Sequence, residues 1–143
     1  VPNIILLKTG VLYCLFFFIT ACGSDKGISY VSALKGEQDT YRQTFQKSFQ
    51  DLKQQSDQVK VSVAADTVLL QKIAAIDNKI NVYQERSSQK LDKYQILLEK
   101  LTSGTLTEEE MKTYHPQYIS DFETYKDAIR QLGEGLTEIA QKK

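Results

Sequence analysis

Residues 59 to 66 read VKVSVAAD, and they decide whether the middle of this chain is one helix or two. Three valines alternate with polar residues, and Asp66 stands where the surrounding pattern calls for an apolar side chain. β-Branched residues lose rotamer freedom in a helix. Aspartate, by contrast, is a strong N-cap, because its carboxylate accepts from the free N–H groups of a first turn. The stretch therefore predicts a turn near Ser62 to Asp66, with one helix ending before it and another starting at Asp66.

On either side the pattern is helical. Between Gly36 and Gly104 there is neither glycine nor proline, while Gln, Lys, Asp, Glu, Leu and Ala abound, a composition that favours helix. Phe45, Leu52, Val59, Ile73, Ile80, Tyr94 and Leu101 lie on one seven-residue ladder, broken only at Asp66 and Ser87. A second row, including Tyr41, Phe49, Ile76, Tyr83 and Leu98, lies three or four residues away and widens the ladder into an apolar stripe.

The last segment is the most regular. Tyr118, Phe122, Tyr125, Ile129, Leu132, Leu136 and Ile139 step by four and three alternately. Thr107 and Glu110 form a capping box at its start, and three successive glutamates suit the positive end of the helix dipole. Pro116 removes an N–H and crowds the preceding turn, so a kink or a restart near His115 is expected. Gly133 and Gly135 either admit a close neighbour or mark a frayed end.

The expected fold is all-α, an elongated three-helix up-down-up bundle with coiled-coil-like packing and helices over about residues 37–61, 66–102 and 107–141. The competing arrangement is a single helix over 36–102 with a returning C-terminal helix. Such a helix of roughly 66 residues would reach about 100 Å, and its uncovered seam would demand self-association.

Ahead of the bundle, residues 16–25 read FFFITACGSD, an apolar run that ends in small residues and a cysteine before polar sequence. Val11 to Ala21 has roughly the length of a signal h-region, and Lys8 is the one charge in residues 1–21. The alternative, an uncleaved anchor, is disfavoured because a spanning helix needs about 20 consecutive apolar residues. Ile19-Thr20-Ala21-Cys22 resembles the lipobox of bacterial lipoproteins. That resemblance implies a signal peptide over 1–21, cleavage between Ala21 and Cys22, and acylation of the Cys22 sulfur. Residues 22–36 would then be the lipidated cysteine and its tether, since Gly23, Gly27 and Gly36 read as flexible chain. Cys14 follows the bulky Tyr13 and does not suit a cleavage site that demands a small residue. The resemblance further implies a lipid anchor in a bacterial cell envelope. In a Gram-negative source, Gly23 rather than Asp after the cysteine points to the outer membrane, facing the periplasm.

Composition narrows the partners. The chain has 18 basic and 18 acidic residues, and loss of Lys8 leaves the mature chain with one net negative charge. No nucleic-acid partner is expected from that balance. No cofactor, metal site or enzymatic activity is expected either. His115 is the one histidine; it and Met111, four residues earlier, are better read as parts of a helix corner than as ligands. Paired carboxylates such as Asp121 and Glu123 fall at ordinary surface positions.

Tyrosine is the remaining anomaly, because Tyr41, Tyr83, Tyr94, Tyr118 and Tyr125 lie on the stripes and a buried hydroxyl needs a partner. Stripes bordering solvent in a thin bundle explain them best. A protein-binding face at Tyr118, Phe122 and Tyr125 comes next. The sequence thus points to a membrane-anchored helical interaction, scaffold or inhibitor module. The alternative is a carrier of a small apolar ligand in the bundle core.

Overall fold

The computed structural model describes residues 26–142, so residues 1–21, the Ala21–Cys22 cleavage site and Cys22 lie outside the described residues. Three helices, α1 (Lys26–Ser62), α2 (Thr67–Thr102) and α3 (Glu108–Ala140), account for nearly all of the described chain. All three pack against one another, and the described residues include no strand.

The VKVSVAAD stretch separates α1 from α2, so the single helix over 36–102 does not form. Helical hydrogen bonding persists to Val63, whose N–H donates to the Val59 carbonyl at 3.1 Å. Asp66 then adopts extended backbone and its Oδ1 accepts from the N–H groups of Val68 and Leu69 at 2.9 and 3.0 Å. Val59 and Val63 are buried, whereas Val61 is 80% exposed. The alternation of valines therefore reflects two core contacts and one solvent position on a helix.

The expected tether needs correction. Residues 26–36 are helical, so α1 begins eleven residues before the expected start at 37. Leu34 is buried, and Tyr30 and Val31 pack half-buried against the core. These contacts outweigh the helix-weakening effect of Gly27 and Gly36, about 1 kcal/mol each relative to alanine.

Of the kink or restart expected at Pro116, the restart does not occur, because α3 runs through His115 without a break. Pro116 and Lys112, whose carbonyl lacks its usual donor, both lie on the exposed side of α3. Water can satisfy that carbonyl there. The Thr107 capping box forms as expected: Thr107 Oγ1 accepts from the Glu110 N–H at 3.2 Å, and Glu110 Oε2 accepts from the Thr107 N–H at 2.8 Å.

Inward positions of α3 alternate steps of four and three throughout, from Met111 to Ile139. In α1 and α2 that rhythm slips once each. Tyr41, Phe45 and Phe49 follow two successive steps of four, and so do Tyr83, Ser87 and Leu91. The two slips lie at the same height, since Phe45, Phe49, Ser87 and Leu91 line one groove between the helices. Ser87, which broke the sequence ladder, is buried there, and its hydroxyl donates to the Gln84 carbonyl at 3.0 Å. A four-residue insertion locally unwinds a coiled coil. Bulky phenylalanines opposite a small serine fill the widened layer.

Gly133 and Gly135 sit inside α3 rather than at a frayed end. A Cβ on Gly133 would lie 3.5 Å from Leu52 Cδ2 and 3.7 Å from Gln55 Oε1, which is ordinary contact. Gly133→Ala should therefore raise stability by about 0.5–1 kcal/mol through helix propensity alone. The urea midpoint checks this, and a decrease would mean that α1 cannot admit the methyl group.

Candidate functional site

One polar and aromatic cluster takes a residue from each helix. Glu37 of α1, Tyr94 of α2 and His115 of α3 form a chain of contacts, with the Tyr94 hydroxyl 2.7 Å from His115 Nδ1 and His115 Nε2 3.4 Å from Glu37 Oε2. Tyr94 is completely buried. Burial, assisted by the Glu37 carboxylate, pushes its phenol well above the ordinary value and keeps it a proton donor. His115 Nδ1 is therefore assigned as the acceptor, which leaves the proton of the neutral ring on Nε2, facing Glu37.

Hydroxyl, imidazole and carboxylate in this order parallel a nucleophile, its base and an orienting group. Tyr94 Oη, however, has no access to a substrate, so the array acts as a clamp across the three helices. His115→Ala would leave the buried Tyr94 hydroxyl without its acceptor, at a cost of about 1–3 kcal/mol. Tyr94→Phe removes the demand itself and should cost less than about 1 kcal/mol, since the partly exposed His115 ring can turn to water. Urea unfolding of both variants and their double mutant checks the order; equal losses would refute the clamp.

Aromatic rings continue from this cluster into the centre of the bundle. Phe122 is fully buried, with its ring centroid 4.7 Å from Tyr41, 6.0 Å from Phe45 and 5.9 Å from Tyr94. Tyr118 and Tyr125 pack half-buried beside it. Of the expected binding face at Tyr118, Phe122 and Tyr125, Phe122 is buried and presents no surface to a partner, whereas Tyr118 and Tyr125 keep part of theirs exposed. The stripe tyrosines border solvent, except Tyr94. Tyr41 donates to Glu123 Oε1 at 2.7 Å, and burial together with that carboxylate pushes its phenol up.

Ion pairs fasten the rim. Lys90 of α2 bonds Asp121 of α3, and its ammonium also lies 4.5 Å from the Tyr118 ring centroid. Burial disfavours the Asp121 carboxylate, but the Lys90 ammonium and the Gln117 amide outweigh it and hold its carboxyl below the ordinary value. Asp121 therefore adds stability above the unfolded carboxylate pKa of about 3.9. That contribution is lost as pH falls through the depressed folded value. Asp121→Asn should make the acid limb of a stability–pH profile shallower, and an unchanged limb would refute the assignment.

Buried polar groups elsewhere also fix the helix pairing. Gln38 Nε2 donates to the Leu91 carbonyl at 3.1 Å, and Ser56 Oγ donates to Asp77 Oδ1 at 2.5 Å. Lys60 bonds the other Asp77 oxygen at 2.8 Å. Met111 is fully buried and serves packing. Among the described residues no group of His, Cys, Asp and Glu is arranged to hold a metal ion, and no helix is long and apolar enough to cross a membrane.

Sequence reasoning placed His115 at a corner and missed its bond to Tyr94. The signal was present: His115 lies four residues after Met111 and three before Tyr118, on the inward row of α3. Comparison of the chain with protein-family models, curated proteins and solved structures found no match.

Proposed function

We propose that this chain is the precursor of a lipid-anchored lipoprotein of a bacterial cell envelope, whose helical body binds or blocks another protein. One observation carries the reading: Ile19-Thr20-Ala21-Cys22 closes an apolar leader only four residues before Lys26, where α1 starts. Acylation of Cys22 and cleavage after Ala21 would set the lipid at most four residues ahead of helix α1. The body then stands close to the bilayer, with a tether shorter than residues 22–36.

In this reading the bundle runs up-down-up. The order of contacts supports it: Gln38 meets Leu91 while Ser56 meets Asp77, so α1 and α2 run in opposite directions. Tyr94 meets Tyr118 while Tyr83 meets Tyr125, which gives the same relation for α2 and α3. The start of α1 and the α2–α3 loop then lie near the membrane. The α1–α2 turn lies about 55 Å away, at 1.5 Å per residue over the 37 residues of α1.

At that far end Val61 and Val68 are 80% and 59% exposed. They are the places to seek a partner now that Phe122 is internal. A photo-crosslinking residue at position 61 or 68, in cells that make the full chain, should capture one specific envelope protein. Capture of nothing, or recovery of the chain outside the membrane fraction, would refute the reading. The ligand-carrier alternative has less support, because Tyr94 and Phe122 fill the centre where its cavity would lie.

A further inference from the structure

A groove of about 450 Å³ opens where the start of α1, the end of α2 and the α2–α3 loop meet. Val31, Leu101 and Leu106 form its apolar floor, and Lys35, Thr102 and Glu108 stand at its rim. Leu101 is buried, whereas Val31 and Leu106 are half-buried. The loop holds Leu106 in place through its N–H, which donates to the Lys100 carbonyl at 3.0 Å alongside the Thr105 N–H at 2.9 Å. Gly104, at φ 75°, makes the turn that allows both bonds.

We infer that this groove seats one of the fatty acyl chains carried by Cys22, an inference that rests on the lipoprotein reading above. Chain length supports the occupant. Cys22 precedes Lys26 by four residues, a span of at most about 14 Å when extended. Val31 lies five helical residues further, about 7.5 Å along α1. The Cys22 sulfur is therefore confined to the neighbourhood of the groove, within the reach of a long acyl chain.

The chemistry fits as well. An acyl chain is thin, flexible and wholly apolar, so it can follow a shallow floor of branched side chains without needing a hydrogen-bond donor. A floor turned toward the headgroup layer would otherwise leave Val31 and Leu106 against polar surroundings. Two further acyl chains suffice for stable anchoring, so one chain can leave the bilayer for the groove. The anchored body is then held at a fixed tilt to the bilayer.

The test feeds cells making the full chain a palmitate analogue that bears a diazirine, irradiates them and maps crosslinked peptides by mass. Crosslinks from the Cys22 lipid to Val31, Leu101 or Leu106 of the same chain are expected. Thr102→Trp, a change at the exposed rim, should abolish them while leaving Cys22 acylation intact. Acylated Cys22 with no crosslink to these residues overturns the inference and spares the lipoprotein reading. Equal crosslinking in Cys22→Ser overturns it too, because the occupant is then a lipid of the bilayer. An unacylated Cys22 in the native chain refutes the functional reading and this inference with it.

Discussion

Cys22→Ser is expected to eliminate the mature-size, membrane-bound form of the protein. Serine cannot form the thioether that precedes cleavage in bacterial lipoproteins, so the apolar leader ending at Ala21 should stay attached or the product should appear free of the membrane. The effect is large because each buried CH₂ contributes about 0.8 kcal/mol, and two or three acyl chains together anchor stably where one binds reversibly. Fractionation with immunodetection reads both size and location. A mature-size chain that still sediments with membranes would end the lipoprotein account, whereas a full-size chain held by its leader would not. Cys14 offers no rescue, since Tyr13 precedes it.

Phe122→Ala should be the most damaging single change in the bundle. Its ring is fully buried among Tyr41, Phe45, Tyr94 and Tyr118, on all three helices. Truncating such a ring costs about 3–5 kcal/mol, against a total of about 5–15 kcal/mol for a typical domain. Urea unfolding followed by helical circular dichroism should show a midpoint collapse or a chain unfolded without denaturant. Val61→Asp, at an exposed position, should shift stability by no more than about 0.5 kcal/mol. A Phe122→Ala variant as stable as the native chain would return Phe122 to the surface face that the sequence suggested.

The bundle also shows where sequence reading succeeds and where it stops. Helix number and the α1–α2 break were legible, because Asp66 combines a broken ladder with capping chemistry and crowded valines. Ser87 broke the same ladder and ended nothing. Its role depends on Phe45 and Phe49 from another helix, which no local pattern encodes. Glycine weighed alone suggests a tether over residues 22–36, since local sequence does not reveal the contacts that Tyr30, Val31 and Leu34 make with the core. A kink or a restart is the local expectation at Pro116, and α3 continues through it because the cost depends on which side of the helix the proline occupies, and that side is exposed. The spacing of Tyr118, Phe122 and Tyr125 established a helix face correctly, yet it could not tell a face turned to a partner from one turned inward.

The clamp was half legible. His115 lay on the inward row of its own helix, but its pairing with Tyr94 and Glu37 brings together residues separated by 21 and 78 positions. Such pairings follow from how helices dock. Local sequence sets which side chains are available, and tertiary packing selects among them.

The matched slips in α1 and α2 bear on how the two helices keep their register. Wherever the heptad is uninterrupted, sliding one helix past its neighbour by seven residues preserves the alternation of inward positions. At Phe45–Phe49 and Tyr83–Ser87–Leu91 it does not, because each slip must meet the other at one height. The pair works like a key and its notch: displacing one helix by a heptad would set each slip against uninterrupted heptads of its neighbour. The register of α1 against α2 is therefore fixed at that one layer rather than by the heptads on either side of it.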